Sequence, residues 1–266
     1  MKKDFLLLGI LNLTPDSFFD GGKFDTTAKA LKQASLMREA GVDIIDVGGE
    51  STRPGGVSIG ASEELKRVLP VVKKLKEKGF QISLDSRKPE VVTKCLPYID
   101  WINDVSGLEN PEMRKLVASS KKKVILMHSL DLPVNPANTM KTKNVVGDLK
   151  KFFQQRIREC EKSRIKKSQI ILDVGIGFGK TLAQNLELLA RIGEFEKLAP
   201  VCLAASRKSF IGKIDGSKVE DRLGGSIAAV LAGHSSGVRI FRIHDVAETR
   251  QALETWEAVE KYVLRY

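Results

Sequence analysis

The chain has 266 residues, 42% of them hydrophobic and 29% charged, with a formal net charge of +11. That apolar content excludes a disordered chain and can fill one large core or two smaller ones. No apolar run approaches the ~18 residues of a membrane helix, and Met1-Lys-Lys-Asp-Phe-Leu-Leu-Leu is too short for a signal peptide, so a cytoplasmic protein is expected.

Cys95, Cys160 and Cys202 form no C-x-x-C pair and read as reduced, buried thiols. His128, His234 and His244 lack the close spacing of a zinc helix. The positive balance invites a nucleic-acid reading, yet runs such as Lys73-Lys-Leu-Lys-Glu-Lys fall on predicted helices. Solvated helix faces and attraction for anionic small molecules explain the charge, and no nucleic-acid partner is expected.

Residues 4–11 are a continuous apolar run, the mark of a strand buried on both faces. It ends in a long loop from Asn12 with Pro15, Gly21 and Gly22, and long loops in compact domains are often lids. Asp25-Thr-Thr opens a helix carrying Ala28, Leu31, Ala34 and Met37, closed by Gly41. The pattern then repeats, with strands at residues 42–47 and 81–84 around a helix over 62–78. Strands follow at 98–103, 124–127, 169–172, 201–205 and 238–243. Helices are read over 146–163, around Leu182, Leu186, Leu189 and Ile192, over 219–232, and from Val246 with Leu253, Trp256 and Val259.

Eight apolar strands alternating with helices, one unit per about 33 residues, fit a (β/α)8 TIM barrel in an α/β class, a fold of about 250 residues. One domain over residues 1–266 is therefore expected. A doubly wound open sheet would leave two units unexplained. Barrel active sites lie at the C-terminal strand ends, which here carry Asn12, Asp46, Asp85, Asn103, Met127, Asp173, Lys208 and Arg242 with His244. Any one polar strand end can simply cap the next helix, and Asp46 and Asp104 are open to that reading. Asp85, Asn103 and Asp173 suit a heterocycle rich in N–H donors and ring acceptors. Arg242, His244, Arg53 and Arg207 suit a phosphate or pyrophosphate.

Gly175-Ile-Gly-Phe-Gly-Lys-Thr181 fails as a nucleotide motif. A Walker A loop needs glycine where Val174 stands, and the dinucleotide spacing needs glycine where Lys180 stands. Its glycines are expected to permit a tight turn around Phe178.

The segments Gly9-Ile-Leu-Asn-Leu-Thr-Pro-Asp-Ser-Phe18, Asp46-Val-Gly-Gly-Glu-Ser-Thr-Arg-Pro-Gly55, Asp85-Ser and Ile102-Asn-Asp-Val-Ser-Gly107 occur in that order. Leu172-Asp-Val-Gly-Ile-Gly-Phe-Gly-Lys180, Ser206-Arg-Lys-Ser-Phe-Ile-Gly212 and Arg242-Ile-His-Asp-Val246 complete the series. In this series the chain resembles the dihydropteroate synthases of folate biosynthesis over essentially its whole length. The resemblance implies a (β/α)8 barrel that joins 6-hydroxymethyl-7,8-dihydropterin diphosphate to 4-aminobenzoate and releases pyrophosphate with Mg²⁺. By resemblance, Asp85, Asn103, Asp173 and Lys208 hold the pterin and Met127 lines its pocket. Asn12, Arg242 and His244 hold pyrophosphate, Arg53 is expected to assist them, and Asn12 is linked to the metal. Thr52, Arg53, Pro54, Phe178 and Ser209 surround the 4-aminobenzoate. The family is commonly dimeric and a sulfonamide target.

The chemistry expected is pyrophosphate loss assisted by ionised Asp85 and Asp173, followed by attack of the arylamine. Loops over 14–23 and 51–61 would close the site, with Asp16 and Arg53 completing it. Val174 stands where the family usually has proline, and the loop after His128 is longer than usual. Pterin-binding methyltransferases offer a similar Asp and Asn set but have no use for the anion residues Ser206-Arg-Lys-Ser209 and Arg242-Ile-His244. A non-catalytic pterin or nucleic-acid binder would need no Asp16 or Arg53.

Overall fold

The computed structural model describes residues 4–14, 26–51, 56–135 and 137–263. Eight strands pair in parallel in the order β6-β5-β4-β3-β2-β1-β8-β7. They are β1 (Leu6–Asn12), β2 (Ile44–Gly48), β3 (Ile82–Asp85), β4 (Trp101–Asp104), β5 (Lys123–Met127), β6 (Ile170–Asp173), β7 (Cys202–Leu203) and β8 (Ile240–Ile243). The two ends of the order meet at a parallel bridge between Leu172 and Val201, where the Leu172 N–H donates to the Pro200 carbonyl at 2.8 Å. That bridge closes the sheet into the expected barrel.

Successive strand side chains point to opposite faces, so every second residue enters the barrel. Leu8, Ile44, Trp101, Ile125, Ile171, Cys202 and Ile240 pack together as one apolar floor. The intervening residues, such as Leu7, Ile45, Leu84, Ile102, Leu126, Leu172 and Phe241, join the larger core beneath the helices. Two positions beyond four of these seven floor residues the chain becomes polar: Ile44 leads to Asp46, Trp101 to Asn103, Ile171 to Asp173 and Ile240 to Arg242. This one alternation produces both a dry barrel interior and a polar ring above it.

The helices are α1 (Thr26–Glu39), α2 (Ala61–Glu77), α3 (Pro89–Cys95), α4 (Pro111–Ser120), α5 (Val145–Lys162), α6 (Leu182–Ala190), α7 (Gly193–Glu196), α8 (Ser209–Asp215), α9 (Leu223–Ser235) and α10 (Val246–Val263). In α5, Val146, Leu149, Phe153, Ile157 and Cys160 recur at three- and four-residue spacing and are all buried. Asn144 caps it by accepting from the Gly147 N–H at 3.0 Å.

Several local readings change. In α1 the buried stripe is Ala30, Ala34 and Met37, and Ala28 faces solvent. In α6, Leu186 is 41% exposed, because Gln184 and Asn185 take the inward face. Gln184 donates to the Met140 carbonyl at 2.9 Å and Asn185 accepts from the Gly177 N–H at 2.8 Å, both loop backbone rather than core. The helix expected over 219–232 begins later, at Leu223, after a 3-10 turn at Val219–Asp221. Helices α3, α4, α7 and α8 are additions to the sequence reading. No described helix is long and apolar enough to cross a membrane.

Candidate active site

Above the apolar floor the strand ends open into a cavity of about 900 Å³, whose walls include Asn12, Asp85, Phe178, Lys208, Ser209, Arg242 and His244. Asn103, Met127 and Asp173 are buried behind these walls, Asn103 bonded to Asp46 and Met127 packed against Phe178. The structure thus gathers strand-end residues spread over most of the chain.

At its centre lies a cation between two anions. Arg242 donates from Nε to Asp46 Oδ2 at 2.6 Å and from Nη2 to Asp85 Oδ2 at 2.7 Å. Asn103 Nδ2 donates to the same Asp46 oxygen at 3.3 Å. Asp46 therefore faces into the barrel as an ion-pair partner. By contrast, Asp104 organises its own turn, accepting from the Ser106 N–H and hydroxyl and from the Leu108 N–H. Burial pushes the Asp85 carboxyl from an ordinary 3.8 up to about 7, against the pull of Arg242. Burial alone would lower Arg242, but the Asp46 and Asp85 charges more than offset it and hold the guanidinium charged.

Asp173 is likewise raised by burial, opposed by the Gly175 N–H it accepts at 2.7 Å and by Lys208. The turn that follows needs its glycines. Gly175 has φ +68°, and a Cβ there would collide with the His128 carbonyl oxygen. Val174, noted in sequence as a departure from the resembled family's usual proline, is buried in the core. Phe178 packs with Met127, Val105 and Val134, the last supplied by the longer loop after His128. The Lys208 ammonium lies 4.2 Å from the Phe178 ring centroid, so the ring and a pterin-assigned cation meet.

Lys180 is not a phosphate ligand in waiting. It is buried, and its Nζ donates to the Gly175 and Phe178 carbonyls, both at 2.9 Å, and lies 3.1 Å from His128 Nδ1. Burial pulls its pKa down to about 7, with Asp173 favouring the charged form. Thr181 and Gln184 then form a capping box that starts α6.

On the anion side, Ser206 Oγ accepts from the His244 N–H at 3.2 Å and lies 3.1 Å from its Nδ1, fixing the ring against the cavity wall. Arg207, an anion candidate in sequence, instead forks onto Asp245 at 2.7 and 2.8 Å. Asn12 lies opposite Gly48 at the end of β1. Glu50 ties the wall together: it accepts from the Ser58 hydroxyl and the Ile59 N–H and pairs with Lys88 at 2.9 Å. Thr52, Arg53, Pro54 and Asp16 lie outside the described residues.

Sequence reasoning missed the roles of Ser206, Glu50 and Lys180 and left Asp46 undecided. Parity could have placed Asp46, since it stands two positions past the floor residue Ile44.

The match to a model of pterin binding enzymes spans residues 8–244. The dihydropteroate synthase of Escherichia coli strain K12 is 41% identical over 255 residues, covering 95% of this chain and 90% of that one. The chain belongs to the dihydropteroate synthase family. Among solved members, the Clostridium difficile enzyme, determined in the presence of pteroic acid, superposes with a TM-score of 0.90 at 39% identity, covering 97% of this chain and 99% of that one. The Xanthomonas albilineans enzyme with 4-aminobenzoic acid gives 0.90 at 38% identity, over 96% and 93% of the two chains. Family membership thus agrees with the (β/α)8 expectation reached from strand spacing.

Proposed function

We propose that this chain condenses 6-hydroxymethyl-7,8-dihydropterin diphosphate with 4-aminobenzoate, giving 7,8-dihydropteroate and pyrophosphate. The observation that carries the reading is one cavity lined by Asp85 and Lys208 together with Asn12, Arg242 and His244, with Asn103 and Asp173 buried at the ends of neighbouring strands. Amide and carboxylate groups suit the ring's donors and acceptors, and the cationic side suits a diphosphate.

In this mechanism Asp85, Asn103, Asp173 and Lys208 hold the pterin, with Met127 against it. The C–O bond between the exocyclic methylene and the diphosphate breaks, and its electron pair leaves with pyrophosphate. Positive charge develops on the methylene and ring. Asp46 and Asp85 flank a single Arg242, so that group carries a net negative charge when both are ionised, and Asp173 adds another. Such preorganised charge stabilises the developing cation. Arg242 and His244 take up the leaving anion, with Arg53 assigned to the same task. The arylamine nitrogen then forms the C–N bond and releases a proton. Phe178 and Ser209, with Thr52, Arg53 and Pro54, are assigned to border the arylamine, while Asp16 and Arg53 complete a closed site.

Mg²⁺ belongs to the same proposal. Gly48, which stands opposite Asn12 in the β1–β2 register, is placed so that a Cβ would lie 3.6 Å from Asn12 Oδ1, leaving that amide oxygen close to the cavity wall. A hard amide oxygen fits Mg²⁺, which takes few protein ligands and completes its shell with phosphate oxygens and water. When bound it neutralises charge on the departing pyrophosphate. The proposal extends to a cytoplasmic homodimer, for which Trp256 and Val259 on α10 offer exposed apolar surface, whereas Leu253 of the same helix is buried in the core.

Incubation of the purified protein with both substrates and Mg²⁺, followed by mass analysis, tests the reading. Dihydropteroate is expected only in the complete mixture. Its absence there would overturn the assignment.

A further inference from the structure

The lysine of the glycine-rich β6 loop has no part in the chemistry above, yet it is 4% exposed and surrounded by oxygen and nitrogen acceptors. Its Nζ reaches the Gly175 and Phe178 carbonyls at 2.9 Å each, the His128 carbonyl at 3.4 Å and His128 Nδ1 at 3.1 Å. With its pKa pulled down to about 7 the amine still donates in either form, three N–H groups as the ammonium and two when neutral, enough to draw together the two carbonyls at 2.9 Å. Burial and the adjacent Lys180 push His128 down to about 3, so its ring is neutral, and in the tautomer protonated at Nε2 its Nδ1 lone pair faces Lys180 Nζ. These contacts join two loops, the one after β5 and the one after β6.

The residue most directly fixed is Phe178. Its carbonyl is held from within by Lys180, while its ring rests on Met127, Val105 and Val134 and faces the Lys208 ammonium. Neighbouring turn groups are held by Asn185, which accepts from the Gly177 N–H at 2.8 Å and donates to the Lys180 carbonyl at 3.2 Å. Without Lys180 the buried Phe178 carbonyl loses its side-chain donor and the Gly175 carbonyl keeps only the Phe178 N–H at 3.0 Å, in a turn that three left-handed glycines, Gly175, Gly177 and Gly179, leave conformationally permissive.

We propose that Lys180 is a positioning residue for the arylamine step, acting through Phe178: its buried ammonium fixes the turn that sets the Phe178 ring against Lys208. The inference rests on the reading that Phe178 borders the arylamine. It predicts an effect on one substrate and not the other.

The test is a double-mutant cycle of Lys180→Met and Phe178→Leu, with the KM for 4-aminobenzoate, kcat and the Kd for pterin diphosphate measured separately. Lys180→Met keeps the length of the side chain and removes its donors. It is expected to raise the arylamine KM about tenfold, the loss of roughly one hydrogen bond to a charged group, with the pterin diphosphate Kd changed less than about twofold. The double variant should be no worse than the worse single variant, because both act through the same ring. Lys180→Gln, which retains two donors, should recover part of the loss, and it carries the test if Lys180→Met does not fold. Equal losses for both substrates, multiplicative losses in the double variant, or an unchanged arylamine KM in both Lys180 variants would overturn the inference. Wild-type protein that makes no dihydropteroate would instead defeat the underlying functional reading.

Discussion

Arg242 and Asp46, 196 residues apart in sequence, meet at 2.6 Å inside the barrel with the Asp46 carboxylate wholly shielded from solvent. The same guanidinium reaches Asp85, so the sides of the cavity proposed to take the ring and the anion share one charged centre. A buried charge without its partner is costly, which makes each member of the group depend on the others.

Asp46→Asn removes the charge that anchors Arg242 Nε and leaves a weaker neutral acceptor. Loss of a charged hydrogen bond of this kind costs about 1.5–3 kcal/mol. The denaturation midpoint should fall accordingly, and kcat should drop because Arg242 is then held by one carboxylate instead of two. An unchanged midpoint and kcat would show that the Asp46–Arg242 contact contributes nothing.

Asp85 sets a pH dependence. Its folded pKa of about 7 lies above the ordinary 3.8, so the folded chain holds a proton that the unfolded chain has lost between those values. The carboxyl's contribution to stability is therefore complete below pH 3.8 and lost as pH rises to about 7. Relative to Asp85→Asn, the ligand-free wild type should become less stable over that window. Pterin affinity should move the opposite way, strengthening as the carboxylate ionises. Calorimetric titrations and melts from pH 5 to 8 would measure both, and a pterin Kd independent of pH would contradict the assignment.

Ser206→Ala frees the His244 ring from the hydroxyl that orients it. A single neutral hydrogen bond is worth about 1 kcal/mol, so KM for the pterin diphosphate should rise roughly fivefold. The KM for 4-aminobenzoate should stay constant. A rise confined to the arylamine would place His244 on the wrong side of the site.

The barrel was legible in sequence because a strand buried on both faces is a continuous apolar run, and such runs recur from residue 4 to residue 243. The site was legible where that run ends abruptly in a polar side chain, as at Asp85, Asn103, Asp173 and Arg242. Asp46 was ambiguous because a carboxylate capping a helix and one pairing across a barrel look alike in one dimension. Lys180 was harder still: its partners are backbone carbonyls, which carry no sequence signal, and a glycine-rich run before lysine suggests phosphate. Helix α4 could have been read from its Asn110 cap and Pro111 start. β7 is shorter than its apolar run suggests, since Val201 makes only a bridge to β6 and Arg207, with φ +56°, turns the chain away soon after.

The central claim is a single cavity that takes a ring at one end and an anion at the other, joined by Arg242. Its most direct test compares the affinities of Arg242→Ala and wild type for the pterin alone and for the pterin diphosphate, by calorimetry. The account predicts a much larger loss for the diphosphate ligand than for the pterin alone. Equal losses for the two ligands would contradict it.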